Sequence, residues 1–182
     1  MSTQPPLTRQ KPAAPTTAIA AAIIASLVFG GKTLMDELGK DEGTAYTVYA
    51  DKLARGLPTV CKGITRHVTA TPIIVGDKWS AEKCETHERA IAKVIQHELA
   101  NCFGRVPPQR VFDAATRMAW NVGAPSVCRS QSMREWNAGR WAVGCLYMAY
   151  APDGRPNWSM AAGVFVPGLH NRRKREMQDC LG

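Results

Sequence analysis

The chain has no Cys-x-x-Cys pair and no histidine spacing suited to zinc, so no metal site is expected. His97-Glu98 opens a metalloprotease pattern, but the second histidine is missing and Asn101 stands in its place. There is no glycine-rich phosphate loop, which removes a nucleotide, and no other cofactor is called for. Helix-turn-helix, zinc-finger and RNP-type patterns are also missing, so nucleic acid is not expected as a partner. No internal repeat is visible, and from Pro12 to Gly31 there is no charged residue.

What is present is 182 residues, 45% of them apolar and 21% charged, which is one domain's worth with enough apolar material for a core. A net charge of +8 and a pI near 9.4 favour a polyanionic partner such as an anionic cell envelope, or else provide a solubilising face. Cys61, Cys84, Cys102, Cys128, Cys145 and Cys180 are even in number, which fits disulfides formed in an oxidising compartment. Six cysteines allow fifteen connectivities, and all remain open at this level.

Met1 to Thr17 is polar and proline-rich with Arg9 and Lys11, a basic leader, and Ala18 to Gly31 is wholly apolar or small. A spanning helix needs about 20 residues. This stretch reaches that length only by counting Pro12, Pro15, Thr16, Thr17 and several Ala and Gly, so it reads as a weakly hydrophobic membrane segment. A cleavable signal peptide and a buried core helix are the competing readings. The expected division is residues 1–32 as leader and anchor, and residues 33–182 as the domain proper.

Within the domain, Thr33 is expected to cap a short helix, with Gly39 and Gly43 bracketing Glu42 near its end. Val48-Tyr49, Thr59-Val60-Cys61 and Val68-Thr69-Ala70 have β-type composition, which predicts two or three strands between about 46 and 75. From Ser80 the apolar spacing turns helical through Cys84, Ile91, Ile95, Leu99 and Cys102. Further helices are expected at about 108–122, 133–139 and 141–150, and from near Pro167 to Cys180.

Glu42 and Asp51 flank a turn rich in Gly and Thr. Cleaving an acetal requires a proton on the leaving oxygen and a second group that positions water or stabilises the oxocarbenium ion, so two carboxylates in unlike surroundings are the minimum equipment. Glu42, at a helix end, suits the general acid, while a better solvated Asp51 suits the ionised partner.

The surrounding residues sharpen this reading. Glu42-Gly43, Tyr46-x-x-Tyr49-x-Asp51 and Pro58-Thr59-Val60-Cys61-x-Gly63-x-Thr65 together resemble the active-site segment of the phage-type lysozymes, endolysins that degrade peptidoglycan at the end of infection. Trp120-Asn121-Val122-Gly123-Ala124 is similar to that family's Tyr/Phe-Asn-x-Gly segment. Gly168-Leu169-His170-Asn171-Arg172-Arg173-Lys174-Arg175-Glu176 is similar to its Gly-Leu-x-x-Arg-Arg-x-x-Glu ending. The spacing departs from the family at one place: Asp51 and Thr59 are eight apart where six is usual. An insertion of two residues preserves strand alternation, so Thr59 can still face the cleft, with Thr65 as the alternative.

The resemblance implies an α+β, lysozyme-like fold with a small antiparallel sheet lobe and a larger helical lobe. It implies catalysis by Glu42, Asp51 and Thr59, an Arg172 that orients the catalytic Glu, and a saccharide groove involving Trp120, Asn121 and Gly123. The implied reaction is hydrolysis of the β-1,4 bond between N-acetylmuramic acid and N-acetylglucosamine, by inversion or a water-mediated route. The N-terminal segment resembles a signal-anchor-release sequence, which would hold the enzyme at the periplasmic face of the host inner membrane until it enters the periplasm as a monomer. The rivals are a non-catalytic cationic wall-binding or membrane-disrupting protein, and a lytic transglycosylase.

Overall fold

The computed structural model describes residues 17–52, 54–161 and 163–182. The leader up to Thr16 therefore lies outside the described residues. In chain order the elements are α1 (Ala18–Ser26), α2 (Lys32–Glu42), β1 (Ala45–Asp51), β2 (Leu57–Cys61), β3 (Ile64–Thr65), α3 (Ala81–Ala100), α4 (Gln109–Val122), α5 (Ala124–Cys128), α6 (Gln131–Asn137), α7 (Trp141–Ala149), β4 (Met160–Ala161), β5 (Val164–Phe165) and α8 (Pro167–Leu181). They form two compact units, one from residues 30–94 and one from residues 17–29 with 95–182. The class is α+β, with a small antiparallel sheet lobe and a larger helical lobe, as expected.

In the sheet lobe, α2 buries Leu34, Met35 and Leu38 on one face and carries the pairs Lys32–Asp36 and Lys40–Glu37 on its exposed side. The cap is Gly31 rather than the expected Thr33. The Gly31 carbonyl already accepts from the Met35 N–H at 3.1 Å, so the helix begins before Thr33 and leaves that residue inside its first turn. Gly43, at φ 65°, ends it in a conformation that glycine adopts without a Cβ penalty.

The sheet has the order β1-β2-β3, antiparallel throughout. Val48, Val60, Ile64 and Trp79 pack on its buried side with the Cys61–Cys84 bridge. Val68-Thr69-Ala70, expected as a strand, is a turn: the Val68 N–H donates to Thr65 O and the Thr71 N–H donates to the Thr69 hydroxyl. Threonine hydroxyls that capture nearby backbone N–H groups outcompete ladder formation there.

In the helical lobe, Phe103, Phe112, Met118, Met133, Trp136 and Met148 form one buried cluster, with Phe103 stacked on Trp136 at 5.8 Å between ring centroids. Ala20 and Ile23 of α1 are buried in the same cluster, and the Thr17 hydroxyl caps α1 by accepting from the Ala20 N–H at 3.0 Å. Cys102–Cys128 and Cys145–Cys180 complete three disulfides, so every cysteine is paired. The short α5 and the β4–β5 hairpin are additions to the sequence-based reading. Among the described residues no helix is long and apolar enough to cross a membrane.

Candidate active site

Glu42 is the last residue of α2, half-buried, and the chain turns at Gly43 directly into β1. Asp51 is the last residue of β1, so seven strand residues carry the chain from just past the first carboxylate to the second. The β1–β2 register pairs Asp51 with Leu57 and Tyr49 with Thr59. Side chains alternate along a strand, so Tyr49, Asp51, Leu57 and Thr59 share one face. Val48 and Val60, one position removed, are buried on the other face.

The turn between β1 and β2 accommodates the two extra residues. The Gly56 N–H donates to Asp51 O at 2.7 Å, the Leu57 N–H to Ala54 O at 3.2 Å, and Arg55 and Gly56 adopt φ 56° and 80°. The left-handed pair closes the hairpin without changing the face on which Thr59 stands. The Asp51 carboxylate also accepts from the Ala54 N–H at 3.3 Å, which ties the candidate water-binding group to its own turn.

Thr59 is 3% exposed, and its hydroxyl donates to Leu57 O at 3.0 Å. Thr65 pairs directly with Thr59 across β2–β3. Both threonines therefore face the same cleft, and neither displaces the other. Cys61, at φ 56°, lies in the same wall and is held from behind by its bridge to Cys84.

These residues enclose a cleft of about 410 Å³ lined by Glu42, Thr44, Ala45, Tyr49, Asp51, Ala54, Thr59, Cys61, Gly63 and Thr65. The structure thus brings Glu42, Asp51 and Thr59 together. Tyr49 and Thr65 join them, and the signal for Tyr49 was its position two residues before Asp51 in a strand.

The other candidates belong to the helical lobe. Trp120 is half-buried and Asn121 exposed in the last turn of α4, and Gly123 ends that helix at φ 83° with its N–H donating to Ala119 O at 2.8 Å. Arg172 is half-buried on α8, whereas its neighbour Arg173 is fully buried and pairs with the buried Glu176 at 2.8 Å. Among the described residues no cluster of His, Cys, Asp or Glu is placed to hold a metal.

The fold, with a small antiparallel sheet lobe and a larger helical lobe, is shared with solved structures of phage lysozymes. The endolysin of the Escherichia coli phage FAHEc1 superposes with a TM-score of 0.72 at 24% identity, covering 83% of this chain and 92% of that one. A mutant of the P22 lysozyme gives 0.71 at 21% identity over 84% and 97% of the two chains. The active form of the P1 phage endolysin gives 0.67 at 22% identity over 89% and 93%. Among curated protein sequences none matches this chain. A sequence model of the phage lysozyme family matches residues 39–176. The chain belongs to the phage lysozyme family, and with it to the lysozyme-type glycosidases.

Proposed function

We propose that this protein is an endolysin that hydrolyses the β-1,4 bond between N-acetylmuramic acid and N-acetylglucosamine in peptidoglycan and so lyses the host cell. The observation that carries the reading is the convergence of Glu42, Asp51 and Thr59 on one cleft. Glu42 gives its proton to the leaving glycosidic oxygen as the bond to the anomeric carbon breaks. The Thr59 hydroxyl has committed its hydrogen to Leu57 O, so it meets a water molecule as an acceptor. Water that donates one hydrogen to Thr59 and the other to Asp51 points a lone pair at the anomeric carbon, and Asp51 receives the proton as the new C–O bond forms. Trp120, Asn121, Gly123 and Arg172 keep the supporting roles implied by their motifs.

Glu42→Gln keeps the shape of the side chain and removes its proton. General acid catalysis contributes about 10²–10⁴-fold, and the loss of wall clearing should be of that order. A variant that clears walls at the parent rate would sink the mechanism. One that loses clearing while still binding walls excludes the non-catalytic rival. The mass of the released muropeptides separates hydrolysis from a transglycosylase, whose anhydro products lack the added water.

Residues 18–31 serve, in the same reading, as a signal anchor that holds the monomer at the periplasmic face of the inner membrane and later releases it to the periplasm. Leu, Ile, Phe and Val favour insertion by only about 0.3–0.6 kcal/mol each at a helix centre. Burial of Ala20 and Ile23 in the helical core can offset so small a total. The intact mass of the exported protein is the test: a chain beginning at about Lys32 would make the segment a cleaved signal peptide.

A further inference from the structure

Tyr49, Thr59 and Thr65 form a row across the three strands. Tyr49 pairs with Thr59, and Thr59 with Thr65, so the three side chains stand abreast on the cleft face. Neighbouring strands lie about 4.8 Å apart, which gives the row a span of about 10 Å, longer than a single sugar ring.

The two hydroxyls are set with opposite polarity. Thr59 donates to Leu57 O, which leaves its lone pairs facing the cleft. Thr65 accepts from the His67 N–H at 3.3 Å, which leaves its hydrogen free to be donated. Tyr49, at the other end of the row, is 44% exposed and supplies the cleft's one aromatic surface among its lining residues. Sites for organic ligands combine such an apolar wall with a few directed polar groups.

We propose that this row is a glycan rail: Tyr49 supports the C–H face of an N-acetylhexosamine ring, and Thr65 donates a hydrogen bond to an oxygen of the same chain. Thr59 stays with the water, so the roles of the two threonines differ. The inference rests on reading the cleft as the glycosidase site. The strand backbone holds all three residues at fixed spacing, so the rail is preformed and little ordering is required when the glycan binds. The ring face carries negative electrostatic character, which suits the weakly positive hydrogens on the face of a sugar.

The test is calorimetric titration of the full chain carrying Glu42→Gln with a soluble tetramer of N-acetylglucosamine, so that no turnover is needed. Tyr49→Ala and Tyr49→Leu should each weaken binding by about tenfold, as expected for losing a ring contact, while Tyr49→Phe stays within about twofold. Thr65→Ala should weaken it by about threefold, the scale of one neutral hydrogen bond, and Thr65→Ser should restore it. In the otherwise native enzyme, Tyr49→Ala should raise KM and Thr59→Ala should lower kcat. Parent-like affinity in Tyr49→Leu, which keeps the bulk of the side chain and lacks its ring, overturns the proposal. So does a Tyr49→Ala effect confined to kcat. Failure of the catalytic reading would be seen separately, as wall clearing that survives Glu42→Gln.

Discussion

The two lobes use the same kinds of cross-link but place them differently with respect to the cleft: the helical lobe holds the Cys102–Cys128 and Cys145–Cys180 bridges and the fully buried Arg173–Glu176 pair, none of which lines it. In the helical lobe, rings and methionines close on one another around Trp136, and most of the cluster is apolar. In the sheet lobe, one face of the three strands is given to the cleft through Tyr49, Asp51, Thr59 and Thr65, so only the other face can build a core. A bridge and a buried ion pair reinforce it. Glu88, 1% exposed, accepts from both the backbone N–H of Lys62 at 3.1 Å and its Nζ at 2.5 Å. Lys62 sits between Cys61 and Gly63, which line the cleft, and a Cβ on Gly39 of α2 would lie 3.2 Å from its Cε. The ion pair thus holds the segment between β2 and β3 that lines the cleft. The sheet lobe's cross-links involve Cys61 and Lys62, which line or adjoin the cleft, so the cleft should register their loss before that of the helical lobe's bridges.

The largest expected effect is from Lys62→Met. Removing one partner of a buried pair strands the other charge and destabilises by about 3–5 kcal/mol, and wall clearing should fall with it. Adding Glu88→Leu should recover much of the stability in thermal melts. A single variant that melts like the parent would show that this pair does not hold the cleft wall.

Next comes the Cys61–Cys84 bridge, which spans 23 residues, against Cys145–Cys180, which spans 35. Each should contribute about 2–4 kcal/mol through the chain-entropy effect. Replacing both members of the first pair by alanine should nonetheless reduce lysis more, assayed well below either melting temperature, because Cys61 lines the cleft. The comparison breaks if loss of the second bridge is the more damaging.

The smallest effect concerns the helical lobe's packing. Gly→Ala inside a helix ordinarily gains about 1 kcal/mol. At Gly144 of α7 the new Cβ would lie 2.3 Å from a Trp136 ring carbon and 2.9 Å from the backbone oxygen of Ser132. Gly144→Ala should therefore destabilise by about 1–3 kcal/mol, as overpacking does, with little direct effect on lysis once folded. A raised melting temperature would show that this core can yield.

The long helices were legible from apolar spacing. The expected 108–122 is Gln109–Val122, and the last helix, expected from Pro167 to Cys180, runs to Leu181. Ala124–Cys128 and the two-residue strands at Met160 and Val164 are too short for any periodicity to register. Val68-Thr69-Ala70 misled because strand propensity reports how well a residue suits a pleated surface, and no partner strand is offered there. The cleft was legible in part: the face shared by Asp51 and Thr59 follows from alternation once the hairpin is accepted, whereas the place of Thr65 beside Thr59 requires the β2–β3 register.

The sequence by itself determined the carboxylate at a helix end, the second one at a strand end, the cysteine content and the family motifs, because each is carried by neighbouring residues. Only the tertiary structure decided which cysteines pair, which of Arg172 and Arg173 is buried, and how the two threonine hydroxyls are polarised. Those outcomes depend on which distant segment supplies the facing backbone group or side chain, and local spacing carries no record of that.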